Sequence, residues 1–237
     1  MRKEVVLSAL KLRSGYGGKP VLQGIDMDVH EGEIVAVIGR NGVGKSTLMR
    51  TLIGLLPPTE GSVVFKGEDV STLVAHRRAR LGIGYVPQGR DVFPRMSVEE
   101  NLKVGEMIGG KVVAEDYQRV YAKFPILAER RMQPAGTMSG GQQQQLAIAR
   151  VMISKPSLIL LDEPSEGIQP SIVEDIARTI VDLNRRNNVT IVFVEQNLDM
   201  IRAMAQRCYV MDKGRIVAAL TPADLDDREL VRRHLAV

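Results

Sequence analysis

Five apolar residues in a row, Ile34–Ile38, run directly into Gly39-Arg40-Asn41-Gly42-Val43-Gly44-Lys45-Ser46. A short apolar run bounded by glycine is the pattern of a strand buried on both faces. The residues after it satisfy G-x-x-x-x-G-K-[ST] at every fixed position. Glycines let the backbone curl with its N–H groups pointing inward around phosphate oxygens. The helix expected over residues 45–54, stopped by Pro57-Pro58, offers its positive end to the same oxygens. Lys45 supplies a mobile charge for β- and γ-phosphates. The Ser46 hydroxyl can take a place on Mg2+, and Thr47 can donate to a phosphate.

Two further segments carry chemistry. Leu158-Ile159-Leu160-Leu161 ends in Asp162-Glu163. A buried strand that delivers two carboxylates beside a phosphate loop places Asp162 to hold Mg2+, directly or through water, and Glu163 to orient and polarise an attacking water. Thr137-Met138-Ser139-Gly140-Gly141-Gln142 precedes an apolar-patterned helix, with Ser139 as its N-cap. This is a second bare anion-binding turn. One nucleotide site does not need two, so this turn is expected to meet a γ-phosphate held by another subunit.

Strand patterns fall at residues 4–12 and 20–29, with the turn Ser14-Gly15-Tyr16-Gly17-Gly18 between them. Others fall at 61–66, 83–86, 157–162, 189–195, 207–212 and 215–220. Helical patterns occupy 97–153, opened by Ser97 and Glu100 at capping-box spacing, then 170–186 and 197–206. Strands alternating with helices imply a mostly parallel sheet covered on both faces. The expected fold is α/β: a P-loop NTPase core over 1–87 and 151–237 with an N-terminal antiparallel β part, interrupted by a helical subdomain at 88–150. Residues 221–237 look helical and charged.

Composition removes several alternatives. The net charge is +4 over 237 residues and the basic residues are scattered, as in Arg77-Arg78 and Arg185-Arg186, which argues against a nucleic-acid partner. Aromatic residues make up 4% with no Trp, which argues against an extended stacking platform for bases or sugars. A single cysteine, Cys208, excludes an intramolecular disulfide and reads as a small core residue. His30, His76 and His234 have no ligand spacing. No apolar run approaches the about 20 residues of a membrane span, and the N-terminus lacks the form of a signal peptide, so the chain reads as cytoplasmic.

With these motifs in this order, the chain resembles the ATP-binding subunit of an ABC transporter over essentially its whole length. The resemblance implies that Gly39, Arg40, Asn41, Gly42, Val43, Gly44, Lys45, Ser46 and Thr47 bind ATP and that Tyr16 stacks on its adenine. It makes Gln88, in Tyr85-Val86-Pro87-Gln88, a glutamine-loop residue that senses Mg2+ and the γ-phosphate, with Ser46 and Asp162 as its companions at the metal. Ser139, Gly140, Gly141 and Gln142 would close over the opposite subunit's ATP. Catalysis would rest on Glu163, Lys45 and the residue at the switch position.

Two departures from the family pattern bear on the hydrolytic site. The usual Ser-Ala-Leu-Asp after the acidic pair is Glu166-Gly167-Ile168-Gln169, and the usual switch histidine aligns with Gln196. An amide can donate a hydrogen bond but cannot titrate. Met138 stands for the family's leucine, a near volume-conserving swap. The segments 160–170 and 194–197 resemble the second ATPase of branched-chain amino acid uptake systems, and 86–94 and 40–45 resemble urea and short-chain amide importers. The expectation is therefore an ATPase on the cytoplasmic face of the inner membrane. Its partners would be two transmembrane permeases, a second ATPase subunit and, indirectly, an extracytoplasmic solute-binding protein. The rival reading is a soluble ABC ATPase of DNA repair or translation. Repair ATPases place a long coiled coil where fewer than a hundred residues separate Lys45 from Ser139 here, and ribosomal relatives carry two ATPase units in one chain.

Overall fold

The structure is a computed structural model and describes residues 4–227. The first layer is an antiparallel sheet. Strands β1 (Val5–Tyr16) and β2 (Lys19–His30) form a hairpin, joined on the β1 side by β4 (Glu60–Phe65) and then β5 (Glu68–Asp69), in the order β2-β1-β4-β5. The predicted five-residue turn shrinks to Gly17-Gly18, both at positive φ, because Ser14 and Tyr16 pair across to Leu22 and Lys19.

The second sheet is the core and has the order β10-β9-β3-β8-β7-β6. Its strands are β3 (Ile34–Ile38), β6 (Ile83–Val86), β7 (Leu158–Asp162), β8 (Thr190–Val194), β9 (Arg207–Asp212) and β10 (Arg215–Leu220). All pairings are parallel except β10 against β9. Every residue of β3, β7 and β8 is buried. Ile34, Ala36 and Ile38 enter one apolar cluster while Val35 and Val37 enter the other, which is why β3 has no polar alternation.

One face is covered by α1 (Lys45–Ile53) and the antiparallel sheet. The other is covered by α6 (Gly140–Ile153), α7 (Pro170–Asn187) and α8 (Leu198–Met204). The helical segment expected at 97–153 divides into α3 (Val98–Glu106), α4 (Ala114–Lys123), α5 (Pro125–Glu129), a 3-10 turn and α6. The capping box of α3 forms as expected, with Glu100 N–H donating to Ser97 Oγ and Ser97 N–H to the Glu100 carboxylate.

One short helix escaped the sequence reading: α2 (Ala75–Arg80). The pair Arg77-Arg78 read as scattered surface charge, yet Arg78 is 0% exposed. Its guanidinium donates to the carbonyls of Thr51, Leu52, Ser71 and Leu73 at 2.8–3.0 Å. Two of these belong to the last turn of α1, where Thr51 O otherwise accepts only from the Gly54 N–H at 3.2 Å and Leu52 O has no i+4 partner. Gly54 ends that helix at φ 87°, and a Cβ there would lie 2.8 Å from Arg78 Nε. Within 221–237, only a 3-10 turn over Pro222–Asp226 is described, and residues 228–237 of the expected helix lie outside the described residues. Cys208 is fully buried in β9, and burial pushes its thiol up to about 12. Among the described residues, no helix is long and apolar enough to cross a membrane.

Candidate functional site

The register of the core sheet places the site. Val37 on β3 pairs with Val194 on β8, and Val194 pairs with Asp162 on β7. The three strands therefore end side by side. Their ends carry the glycine loop after β3, Glu163 after β7, and Glu195-Gln196 after β8. Ligand sites of open parallel sheets form at this carboxyl edge.

A cavity of about 860 Å3 opens there, lined among others by Asn41, Gly42, Gly44, Lys45, Ser46 and Thr47 of the loop and by Gln88, Glu163, Glu166, Glu195 and Gln196. Gly39 is wedged so closely that a Cβ would sit 2.3 Å from the Met211 carbonyl oxygen. Two of the loop side chains face elsewhere. Val43 packs into the apolar cluster beneath the loop, and Arg40 is exposed and contributes its carbonyl.

Lys45 is 4% exposed. Its ammonium donates to the Gly39 and Arg40 carbonyls at 2.9 and 3.0 Å and lies 3.7 Å from Glu163 Oε1. Burial lowers its pKa, and the charges of Glu163, Asp162 and Glu195 oppose that shift. Ser46 Oγ donates to Asp162 Oδ1 at 3.0 Å, and Tyr85 donates its hydroxyl to Oδ2 at 3.3 Å. Burial raises the Asp162 pKa, with the Ser46 hydrogen bond partly offsetting it. A hydroxyl beside a desolvated carboxylate is a donor set for a hard divalent cation. No cluster of three or more His, Cys, Asp or Glu suited to a metal occurs among the described residues. The Ser46 hydroxyl and the Asp162 carboxylate fit Mg2+, which takes one or two protein oxygens and otherwise water and phosphates.

Glu163 sits at φ 46°, a left-handed position held by its N–H donating to the Val194 carbonyl at 3.0 Å. Its carboxylate accepts from Gln196 Nε2 at 3.2 Å and from Gln88 Nε2 at 3.4 Å. Gln196 also donates to Asn41 Oδ1 at 2.6 Å, which ties the turn after β8 to the glycine loop. Gln196 thus presents an amide donor to Glu163.

The sequence reading overlooked Glu195. This residue is 4% exposed and accepts from the N–H groups of Gln196, Asn197 and Ser165, so one buried carboxylate fixes the turns after β8 and β7 together. Its signal was the one that revealed Asp162: a carboxylate at the end of an apolar strand. Asp162, Glu163, Glu166 and Glu195 crowd this edge with carboxylates, so a cation brought in with a polyphosphate would offset their charge.

Other expected residues lie elsewhere. Tyr16 is 45% exposed and lines an adjoining groove with Arg50 and Tyr85, and Gln88 is common to both spaces. Ser139 and Gln142 close a capping box on α6, and their turn does not line the cavity. Gly141 is buried against Ile172 of α7, where a Cβ would lie 2.6 Å from Cδ1. His30, without ligand spacing in the sequence, pairs with Glu33 and Asp28.

Known proteins share this architecture. Residues 22–166 match the family model described as ABC transporter. The chain is 45% identical over 231 residues to the high-affinity branched-chain amino acid transport ATP-binding protein BraG of Pseudomonas aeruginosa, covering 96% of this chain and 97% of that protein. It is 34% identical to the lipopolysaccharide export system ATP-binding protein LptB of Escherichia coli K12, covering 96% and 95%. A crystal structure of an ABC transporter ATP-binding cassette in its ADP conformation superposes with TM-score 0.83 at 26% identity, covering 97% of this chain and 98% of that one. A dimeric bacterial cassette gives 0.80 at 25%, covering 91% and 98%. This chain belongs to the ABC transporter family, as one of its ATP-binding, ATP-hydrolysing subunits.

Proposed function

We propose that the chain powers an importer of branched-chain amino acids from the cytoplasmic face of the membrane. Two permeases, a second ATPase subunit (identical or related) and an extracytoplasmic binding protein complete the machine. The observation that carries this reading is the 45% identity to BraG across almost the full length of both chains, against 34% to an export ATPase. The segment 88–150 acts as the helical subdomain that meets the permease, and 1–87 with 151–237 as the nucleotide core.

Mechanism follows from the cavity. The loop N–H groups and the α1 N-terminus take the phosphates, and Lys45 transfers its ammonium from the Gly39 and Arg40 carbonyls to the β- and γ-phosphate oxygens. Ser46, Asp162 and Gln88 would hold Mg2+, which when bound neutralises charge developing on those oxygens. Tyr16 stacks on the adenine. Glu163 orients the attacking water and accepts its proton on a carboxylate oxygen, while Gln196 steadies that carboxylate by donating to it. Ser139, which is exposed, and Gly140 and Gln142, which are partly so, close over the nucleotide of the second subunit, so the pair shuts on two ATP and reopens after hydrolysis. Catalysis is positioning plus charge stabilisation.

The test is uptake. In a bacterial strain lacking the gene, the wild-type chain restores labelled leucine uptake and Glu163→Gln does not. Restored uptake of urea or acetamide, with leucine unchanged, would replace the solute by the one the 86–94 segment resembles. No change in any uptake would refute the importer reading.

A further inference from the structure

Gln88 and Glu166 stand at the cavity together, and the hydrolytic mechanism leaves the carboxylate of Glu166 unused. Gln88 Nε2 donates to Glu166 Oε2 at 3.0 Å and to Glu163 Oε2 at 3.4 Å. An amide side chain can be turned either way, with oxygen and nitrogen exchanged, and only its neighbours decide. Both neighbours here are carboxylates, which accept and never donate. The nitrogen must therefore face them, its two hydrogens engaged. What Gln88 can then present is its carbonyl oxygen, a hard neutral donor of the type Mg2+ takes.

The Glu166 backbone is itself fixed by the loop that carries Gln88. Arg90 Nη2 donates to the carbonyls of Glu166 and Gly167, each at 3.3 Å. The Arg90 guanidinium also lies flat on Gly140, where a Cβ would sit 2.9 Å from Cζ, Nη1 and Nη2 alike. Residues 89–91 reach this position by a run of three left-handed residues at φ 84°, 73° and 50°. Such conformations are uncommon for arginine and aspartate and persist where the surroundings hold them.

We infer that Glu166 is a positioning residue that locks the Gln88 amide with its oxygen free, so that Gln88 serves the nucleotide's divalent cation as an acceptor instead of approaching phosphate as a donor. This inference rests on the nucleotide-site reading above. Glu166 acts through Gln88 and not through its own charge, and that distinction makes it testable. Partners that orient a metal ligand typically change metal affinity by about 10–100-fold when removed.

The experiment measures Mn2+ binding by the free-ion electron paramagnetic resonance signal, with the full chain saturated with ATP, alongside ATP affinity in EDTA. Glu166→Ala is expected to weaken Mn2+ about tenfold while ATP affinity without metal stays level or tightens, since a negative charge has left. Glu166→Gln, whose side-chain oxygen still accepts from Gln88, is expected to hold Mn2+ within about twofold of wild type. Unchanged Mn2+ affinity in Glu166→Ala overturns the inference. Equal weakening in both variants also overturns it, since the carboxylate would then act by charge alone. Failure of the wild-type chain to bind ATP with Mn2+ would overturn the nucleotide-site reading and this inference with it.

Discussion

Removing Arg78 tests whether a single buried guanidinium anchors the helix that carries Lys45 and Ser46. In Arg78→Ala, four carbonyls lose the guanidinium, at Thr51, Leu52, Ser71 and Leu73, and Thr51 keeps only the Gly54 N–H. Hydrogen bonds to a charged group contribute about 1.5–3 kcal/mol each. Against that gross sum stands the desolvation of the cation, several kcal/mol for a buried ion. That opposition is visible in the side chain itself: burial pushes its pKa down to about 10, with the charge of Asp69 opposing the shift. A cation at the C-terminal end of α1 adds up to about 2 kcal/mol through the helix dipole. The net expectation is a loss of about 3 kcal/mol. At roughly 2–4 °C per kcal/mol for a chain of this size, the melting temperature falls by roughly 6–12 °C. Arg78→Lys keeps a charge but gathers its donors on one nitrogen, which cannot span four carbonyls, so it should fall between the two. Calorimetry, with urea unfolding to check that the m-value is unchanged, reads the result. A shift below about 2 °C in Arg78→Ala would refute the claim that the guanidinium caps α1.

The remaining predictions concern the site. Glu163→Gln should bind ATP with Mg2+ yet turn over about 10²–10⁴-fold more slowly, and near-normal phosphate release would remove Glu163 from the base role. Asp162→Asn should raise the melting temperature of the metal-free, nucleotide-free protein at neutral pH. Burial raises the Asp162 pKa, so its ionised form opposes folding there; the advantage of the Asn variant should shrink as pH falls through that raised value, where the wild-type carboxyl also becomes neutral. Only the wild type should then gain stability from ATP with Mg2+, and an Asn variant that melts lower at pH 7 would contradict the desolvation argument. Gln196→Ala should lower turnover strongly, while Gln196→His should introduce a limb near pH 6.5 in the kcat profile that the wild type lacks. Unchanged turnover in Gln196→Ala would deny the position a part in hydrolysis.

Much of this was legible because strong periodicity and glycine spacing act locally. Ile34–Ile38 and Leu158–Asp162 are buried along their whole length, as their unbroken apolar runs require. The phosphate loop, the acidic pair and the cap at Ser139 follow from the same local rules. What escaped the reading depends on packing between distant segments. Nothing in Arg77-Arg78 distinguishes the exposed residue from the buried one, because charged side chains are placed outside by default and only the carbonyls of α1 and of residues 71–73 reverse that preference. Glu195 and Glu166 were visible as acids, but nothing local signals the amides that Glu195 and Glu166 hold at Ser165 and Gln88, 30 and 78 positions away. The hairpin turn was read too wide because cross-strand pairing of Tyr16 with Lys19 overrides the glycine signal at Gly15.

The alignment of Val37, Val194 and Asp162 on one ladder has a consequence for how such a site varies. A strand changes register only in whole residues, and a one-residue slip turns every side chain to the opposite face. The three strands therefore cannot adjust the spacing of their ends by fractions of an ångström; they hold it or lose it altogether. Fine adjustment is left to the few residues beyond the last ladder bond. Glu166–Gln169 and Gln196, the two departures read in the sequence as bearing on hydrolysis, lie past the ends of β7 and β8. The sheet is a fixed ruler, and differences in rate and metal affinity among related ATPases are to be sought in the turns that hang from its edge.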